Sequence, residues 1–260
     1  MHGEQQPGQS VVITGGTKGI GAGIARAYLQ AGAKVLVCGR NAPDRKGQLP
    51  EAGGRSALFC RADVRDPDQG ARLIRTAADL FGRVDVLISN AGGSPEAAAA
   101  TASPRFLQKI IELNLTAPLL VAQAANAVMQ DQDAGGSVIM IGSISGTRPS
   151  PGTAAYGAAK AGLHHLVTSL AIEWAPKVRL NCVAPGFVET PGSAGHYGDG
   201  DETAARVAGT VPLQRMATPA DVAGACLFLT SPQAAYVSGT TLMLHGGGEP
   251  PAFLTARAGA

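Results

Sequence analysis

A tyrosine and a lysine four residues apart, Tyr156 and Lys160, have the side chains and the spacing best suited to chemistry. On a helix, positions i and i+4 share a face, so we expect the ammonium of Lys160 near the phenol of Tyr156. A free phenol ionises at about pH 10, and a neighbouring cation lowers that pKa by favouring the phenolate. A tyrosine tuned in this way can act as a general acid or base. The pair alone also fits a solvated tyrosine beside a lysine, so its meaning depends on the rest of the chain.

The composition is that of a globular protein, and its charge does not indicate a charged binding partner. The chain of 260 residues can bury a large apolar core, and 45% of it is hydrophobic and 15% charged. The net charge is +2 without a basic stripe, which argues against binding to nucleic acid or to a membrane surface. We find no segment of signal-peptide type and no apolar run of about 18 residues. We therefore expect a soluble, cytoplasmic protein.

The four cysteines, Cys38, Cys60, Cys182 and Cys226, are widely scattered. They show neither CxxC nor Cys/His ligand spacing, so we predict no metal site. Three of them fall within apolar runs, where a buried thiol is expected.

Short β-branched runs alternate with longer Ala-rich helical segments. The runs are nearly continuous in apolar character, as expected of strands buried on both faces. The alternation implies right-handed crossovers and predicts one α/β domain over residues 1–260, a doubly wound parallel sheet of about seven strands flanked by helices. The predicted strands are 10–14, 34–38, 57–60, 84–89, 137–142, 178–183 and 240–244, and the predicted helices are 19–31, 67–81, 104–129, 154–174 and 219–229.

Three segments break this rhythm. Residues 185–209 are rich in Gly and polar residues and follow the carboxyl end of a strand, which predicts an irregular substrate loop. Residues 41–54 contain Pro43 and Pro50, so we expect a short or irregular second helix there. The tail, 249–260, is a candidate cover for the substrate cleft or for a neighbouring subunit.

A glycine-rich turn follows the first strand and precedes a helix. Its spacing is GxxxGxG rather than the commoner GxGxxG. Glycines permit a tight turn and the close approach of backbone to a pyrophosphate, which then meets the positive end of the helix. The turn therefore predicts a dinucleotide site that includes Gly15, Thr17, Lys18, Gly19, Ile20 and Gly21.

With these motifs in this order, the chain resembles the short-chain dehydrogenase/reductase family from Val11 to about Gly248. The landmarks are the 14–21 turn, Asp63-Val64, Asn90-Ala91-Gly92, Asn114, Ser143, the Tyr156/Lys160 pair and Pro185-Gly186. The resemblance implies a Rossmann-type fold and an oxidoreductase that transfers a hydride between a nicotinamide and a ketone or secondary alcohol.

The resemblance also implies four catalytic residues. Ser143 would orient and polarise the carbonyl, and Tyr156 would donate or accept the proton. Lys160 would lower the pKa of the tyrosine and hold the nicotinamide ribose. Asn114 would shape its helix so that a water can link Lys160 to solvent. These roles agree with the physics, because hydride transfer to a carbonyl builds negative charge on oxygen that aligned donors stabilise.

The choice of cofactor should depend on the end of the second strand. An acidic residue there would bind a ribose 2′-hydroxyl, but this chain has Gly39 followed by Arg40, with Lys18 as a second cation. Because guanidinium suits phosphate as a bidentate partner, we predict NADP(H), with NAD(H) as the alternative. The other cofactor-binding residues that the resemblance implies are Asp63, Val64, Asn90, Ala91, Gly92, Pro185, Gly186, Val188 and Thr190, together with Tyr156 and Lys160.

The substrate stays open at this point. The overall pattern is closest to the 3-oxoacyl-carrier-protein reductases, while dehydrogenases of steroids, sugars and other secondary alcohols share the same motifs. A non-catalytic dinucleotide sensor is the alternative from another class. Relatives with this pattern imply a homotetramer or dimer. His245 stands where the family usually has Asp, for which we expect packing or capping, and we expect His164 and His165 on a helix surface or interface.

Overall fold

A parallel sheet of seven strands forms the centre of the described chain, which in this computed structural model comprises residues 8–43, 49–191 and 201–250. The strands are β1 (Ser10–Thr14), β2 (Lys34–Gly39), β3 (Glu51–Ala52), β4 (Arg55–Ser56), β5 (Leu58–Arg61), β6 (Val86–Ser89), β7 (Gly136–Ile141), β8 (Val178–Pro185) and β9 (Thr241–Leu244). The helices are α1 (Gly19–Gln30), α2 (Pro67–Phe81), α3 (Pro104–Ile111), α4 (Ala117–Asp131), α5 (Ala154–Glu173), α6 (Asp201–Gly209) and α7 (Pro219–Thr230).

The order of strands in the sheet is β5-β2-β1-β6-β7-β8-β9, and every neighbouring pair is parallel. The chain winds outward from β1 to β5 and then returns to β6 on the other side of β1. Sheets of this kind bind ligands at such a reversal, outside the carboxyl ends of the strands. The predicted doubly wound, Rossmann-type fold is confirmed.

Helices cover both faces of the sheet, and the strand residues alternate between them. In β1, Val12 packs into the cluster under α2, α4 and α5, whereas Val11 and Ile13 pack into the cluster under α1 and α7. All three side chains are fully buried, which explains why the sequence of this strand is continuously apolar. Cys38, Cys182 and Cys226 are likewise buried free thiols, as predicted.

Local capping fixes the ends of the helices. The side chain of Asp66 accepts hydrogen bonds from the backbone N–H groups of Asp68 and Gln69 at the start of α2, and Gly82 ends this helix at φ +82°. At the start of α7, Thr218 and Asp221 form a reciprocal capping box. A proline follows each N-cap, so sequence predicted these starts correctly.

The segment after β2 differs from the prediction. In place of a short helix, β3 and β4 pair as an antiparallel hairpin across Gly53 and Gly54. Both glycines have positive φ (+58° and +71°), which suits the two-residue turn of such a hairpin. Residues 44–48 lie outside the described part.

Two further predictions need correction. The predicted helix 104–129 is interrupted, because a π-helical turn, Glu112–Thr116, joins α3 to α4. The segment 185–209 was predicted to be irregular, yet its end is the helix α6. Residues 192–200 of this loop and 251–260 of the tail lie outside the described residues. No helix within the described ranges is long and apolar enough to cross a membrane.

Helices α1 and α7 meet at Gly23, which supplies a test of the packing that supports the glycine turn. A Cβ placed on Gly23 would lie 2.3 Å from Pro219 Cβ and 3.2 Å from its carbonyl carbon. Gly23→Ala should therefore lower the free energy of unfolding by about 1–3 kcal/mol. Gly224→Ala, on the facing helix with nothing within 4 Å of its new methyl group, is the control and should be neutral or stabilising by up to about 1 kcal/mol. Denaturant titration measures both, and equal effects would contradict the proposed close approach.

Candidate active site

A cleft of about 1360 Å³ opens at the carboxyl edge of the sheet. It exceeds the range of about 300–1,000 Å³ that is common for small-ligand sites, and so has room for a dinucleotide and a substrate together. Of the predicted site residues, all but Asn114 line it; these are Gly15, Thr17, Lys18, Gly19, Ile20, Gly21, Arg40, Asp63, Val64, Asn90, Ala91, Gly92, Ser143, Tyr156, Lys160, Pro185, Gly186, Val188 and Thr190.

The glycine turn has the backbone form that a pyrophosphate site requires. Gly15 and Gly19 have φ of +63° and +55°, and a Cβ on Gly21 would lie 2.4 Å from the carbonyl oxygen of Gly15. Lys18 precedes α1 without a side-chain cap, so the first N–H groups of the helix remain available to an anion.

Asn90 and Thr14 fasten this turn to the neighbouring strand. The amide of Asn90 donates to the carbonyl oxygens of Thr14 (2.9 Å) and Gly15 (3.1 Å). The hydroxyl oxygen of Thr14 accepts from the backbone N–H groups of Asn90 and Ala91, both at 2.9 Å. The ends of β1 and β6, on the two sides of the chain reversal, are therefore held as one unit.

Tyr156 and Lys160 lie on the same face of α5, as the spacing predicted. Lys160 Nζ is 5.6 Å from the centroid of the Tyr156 ring. The ammonium is buried and donates to the carbonyl oxygen of Ile141 at 2.8 Å. Burial lowers the pKa of Lys160 to about 8, so the side chain is still mainly cationic at neutral pH.

Asn114 lies behind the cleft, in the π-helical turn. Its amide donates to the carbonyl oxygens of Ile110 (3.0 Å) and Gly93 (2.9 Å), and its Oδ1 accepts from the N–H of Gly93 (2.9 Å). The first of these bonds satisfies a carbonyl beside the widened turn, and the others attach the loop after β6. A Cβ on Gly92 would be 2.8 Å from Asn114 Oδ1 and 3.4 Å from Lys160 Nζ, so all three residues adjoin.

Ser143 follows β7, and its Oγ accepts a hydrogen bond from the N–H of Ser145 at 3.1 Å. Its own N–H points to Nε2 of His164 at 3.4 Å. Burial, and then the charge of Lys160, lower the pKa of His164, which favours a neutral ring with Nε2 as acceptor. His165 is exposed on α5, in agreement with the expected helix surface or interface, whereas His164 is half-buried and packs beneath the Ser143 loop within the chain. Gly142 and Gly146 carry no side chains and so leave room for the imidazole ring. These two glycines are the sequence feature that could have indicated the position of His164.

The side of the cleft formed by α1 and the ends of β1, β2 and β5 is basic. Lys18, Arg26, Arg40 and Arg65 line it, and Asp63 is the one acidic lining residue among those described there. Asp63 pairs with Arg65, and this hydrogen bonding lowers the pKa of the carboxyl. The pairing leaves an excess of positive charge around Arg40.

The opposite wall of the cleft comes from the segment after β8. The N–H of Gly186 donates to the carbonyl oxygen of Leu244 (2.9 Å), and Val188 forms a bridge with Ala217. His245 packs on Gly186, since a Cβ there would lie 3.0 Å from His245 Cβ. The expected packing role of His245 agrees with this contact.

Arg148 and Phe187 were not predicted, and Arg148 contacts both Phe187 and Glu249, the first residue of the tail for which a cover of the cleft or of a neighbouring subunit was predicted. Arg148 forms an ion pair with Glu249 at 3.0 Å, and its Cζ lies 5.9 Å from the centre of the Phe187 ring. Arg148 and Phe187 line the cleft. The sequence feature that could have pointed to Arg148 is its position between Ser143 and Tyr156, because both of these residues were predicted at the cleft.

The sequence matches the family model described as enoyl-(acyl carrier protein) reductase over residues 15–249. A solved short-chain type dehydrogenase/reductase from Mycobacterium marinum superposes with a TM-score of 0.86 and 32% identity, covering 94% of this chain and 97% of that one. The chain belongs to the short-chain dehydrogenase/reductase family.

Relatives with assigned activities are similar over nearly the whole chain. The cis-4-hydroxycyclohexanecarboxylate dehydrogenase of Sinomonas cyclohexanicum is 37% identical, over 91% of this chain and 94% of the relative. The L-rhamnose 1-dehydrogenase (NAD(P)(+)) of Azotobacter vinelandii is 35% identical, over 92% and 96%. The protein is accordingly an oxidoreductase acting on CH–OH or C=O groups, in a family that uses NAD or NADP.

The buried Lys160 predicts a specific dependence of stability on pH. Its pKa is lower in the fold (about 8) than in the unfolded chain, so the cost of burying the cation is full below pH 8 and disappears as the pH rises toward 10.5. Between pH 7 and 10, the nucleotide-free wild type should gain about 1–3 kcal/mol of unfolding free energy relative to Lys160→Met. Denaturant titration at both pH values measures this gain. Lys109→Met, which removes an exposed ammonium, is the control: its unfolding free energy should change between the two pH values as that of the wild type does. A wild type that gains no stability relative to Lys160→Met would contradict the buried cation.

Proposed function

We propose that the protein is an NADP(H)-dependent oxidoreductase that transfers a hydride between the nicotinamide and a ketone or secondary alcohol, with Tyr156 as general acid and base. The observation that carries this proposal is the approach of Lys160 Nζ to the Tyr156 ring, at 5.6 Å, in the cleft that also contains Ser143 and the glycine turn. The glycine turn fits a dinucleotide, because side chains at Gly15, Gly19 or Gly21 would distort or block it.

Ser143 and Tyr156 would bind the reacting oxygen together. Oγ of Ser143 uses a lone pair to accept from Ser145, so its hydrogen can be donated to a substrate carbonyl. The cofactor supplies or accepts the hydride at the carbon. Tyr156 would then protonate the oxygen in reduction and remove its proton in oxidation, a contribution typically worth about 10² to 10⁴ in rate.

Lys160 and Asn114 would support this proton transfer in different ways. The ammonium of Lys160, held under Tyr156 by the carbonyl of Ile141, favours the phenolate. Asn114 holds the turn and the loop that enclose Lys160, and we propose that a water beside them connects Lys160 to solvent. In that arrangement the proton lost by Tyr156 would be replaced from bulk water.

The preference for NADP(H) is supported by charge. A 2′-phosphate would meet the exposed cations Lys18 and Arg40, while the carboxylate of Asp63, which would repel it, is neutralised by Arg65. A hydrogen bond to a charged group is worth about 1.5–3 kcal/mol, or roughly 10- to 100-fold in binding.

The substrate could be a 3-oxoacyl thioester, as the sequence pattern favours, or an alcohol of a ring compound. The relatives named above act on a cyclic hydroxy acid and on a sugar. The same catalytic residues would serve both reactions at the reacting carbon. The two substrate classes would therefore differ in the residues that bind the remainder of the molecule. A sensor without catalysis would not need both Tyr156 and Lys160.

We also keep a homo-oligomer as a prediction, for which the exposed Ala158 and Ala161 of α5 allow close helix approach.

Removing one hydroxyl tests the proposed catalyst. Tyr156→Phe should lower turnover at least about a hundredfold while leaving the fold and nucleotide binding nearly intact, because the ring remains and the proton donor is lost. Steady-state kinetics and nucleotide titration measure the two effects. Tyr236→Phe, at an exposed tyrosine, is the matched control. A Tyr156→Phe enzyme retaining more than a tenth of wild-type turnover would remove this residue from the mechanism.

The cofactor preference can be measured directly as kcat/KM for NADP(H) and for NAD(H). We expect the wild type to prefer NADP(H), and Arg40→Ala to lose roughly 10- to 100-fold with NADP(H) but little with NAD(H). Arg105→Ala, an exposed arginine outside the cleft, should change neither value. A wild-type preference for NAD(H) would show that Arg40 does not have this role.

A further inference from the structure

Arg148 has an unsatisfied donor in the substrate side of the cleft. Its Nε is shielded from solvent and has no hydrogen-bond partner within the described residues. Buried polar groups are nearly always paired, because an unpaired buried donor loses its hydrogen bonds to water without replacement. A guanidinium with a free donor in a ligand cleft therefore requires an explanation.

The contact of Arg148 with Glu249 shows which chemical group fits there. Glu249 Oε1 lies 3.0 Å from Nη2, and Nη1 donates to the carbonyl oxygen of Pro149 at 3.2 Å. Nη2 and Nε form one edge of the guanidinium, which can bind both oxygens of a carboxylate. Glu249 thus occupies half of a bidentate site.

The position of Arg148 is suited to a substrate rather than to a purely structural ion pair. Its Cζ lies 5.9 Å from the ring centre of Phe187, which stands on the wall after β8, while Arg148 itself follows Ser143 in the chain. The side chain therefore reaches from one wall of the cleft toward the other, in the same cleft as Ser143 and Tyr156. Glu249 is exposed, and an exposed ion pair contributes little stability, so this carboxylate can be displaced at little cost.

We propose that Arg148 binds a carboxylate of the substrate, so that the enzyme acts on ketones that carry a carboxylate, or on the corresponding hydroxy acids. This inference rests on the proposed function and names its substrate class. In the absence of substrate, Glu249 supplies the carboxylate and keeps the cation paired.

Matched acid and ester substrates test the proposal. The probes are 4-oxocyclohexanecarboxylate, levulinate and acetoacetate, each compared with its methyl ester in NADPH and NADH oxidation. We expect wild-type kcat/KM to favour at least one acid over its ester by about 10- to 100-fold, as for a charged hydrogen-bonded pair. Arg148→Gln should abolish this preference by lowering kcat/KM far more for the acid than for the ester, whereas Arg105→Gln should keep the preference.

Glu249→Gln separates a displaceable counter-ion from a structural one. Once the competing carboxylate is removed, the preference for the acid should persist or increase, mainly through a lower KM. A loss of the preference in this variant would overturn the proposal.

Two outcomes distinguish this inference from the proposed function. If the wild type reduces the esters and the acids equally, or if Arg148→Gln loses both equally, the carboxylate site is wrong and the oxidoreductase assignment stands. If neither acids, esters nor the corresponding alcohols are turned over with either cofactor, the carboxylate site fails, while the proposed function is still decided by the Tyr156→Phe and cofactor measurements with the other substrate classes named above.

Discussion

The burial of one ammonium group, that of Lys160, is the constraint on which the site depends. Burial lowers the pKa of this cation to about 8, and the ammonium donates a hydrogen bond to one backbone oxygen, that of Ile141. The strands and α5 together create this position, because β7 supplies the oxygen and α5 supplies both the cation and Tyr156 one turn earlier. A position so costly is explained by chemistry more readily than by stability.

The elements around Lys160 are arranged to keep the cation unneutralised. No described acidic side chain forms an ion pair with it, and its neighbours are the amide of Asn114, the neutral His164 and the thiol of Cys182. A carboxylate there would hold the lysine more firmly but would weaken its influence on Tyr156. The π-helical turn at Asn114 belongs to the same arrangement, since it brings an amide to Gly92 and Gly93 without bringing a charge.

Sequence predicted the parts of the fold that depend on local chemistry. The runs around β1 and β8, the proline starts of α2 and α7, and the convergence of the glycine turn with Tyr156 and Lys160 follow from periodicity, capping and the geometry of parallel sheets. The misses have tertiary causes. Gly53-Gly54 formed a hairpin where a short or irregular helix was predicted, and the π turn depends on partners in a distant loop. His164 and Arg148 gain their contacts only when α5 and the β8 wall meet the Ser143 loop, which spacing along one chain does not reveal.

The hydrogen bonds of Asn90 and Thr14 have a consequence for the energetics of association. They brace the glycine turn against the neighbouring strand through bonds within the protein itself. If this turn binds the pyrophosphate of the cofactor, as proposed, little conformational entropy would be lost there on binding, and most of the energy of the pyrophosphate contacts would contribute to affinity. A turn braced in this way would favour fast capture of the dinucleotide, because no folding of the loop would have to precede binding.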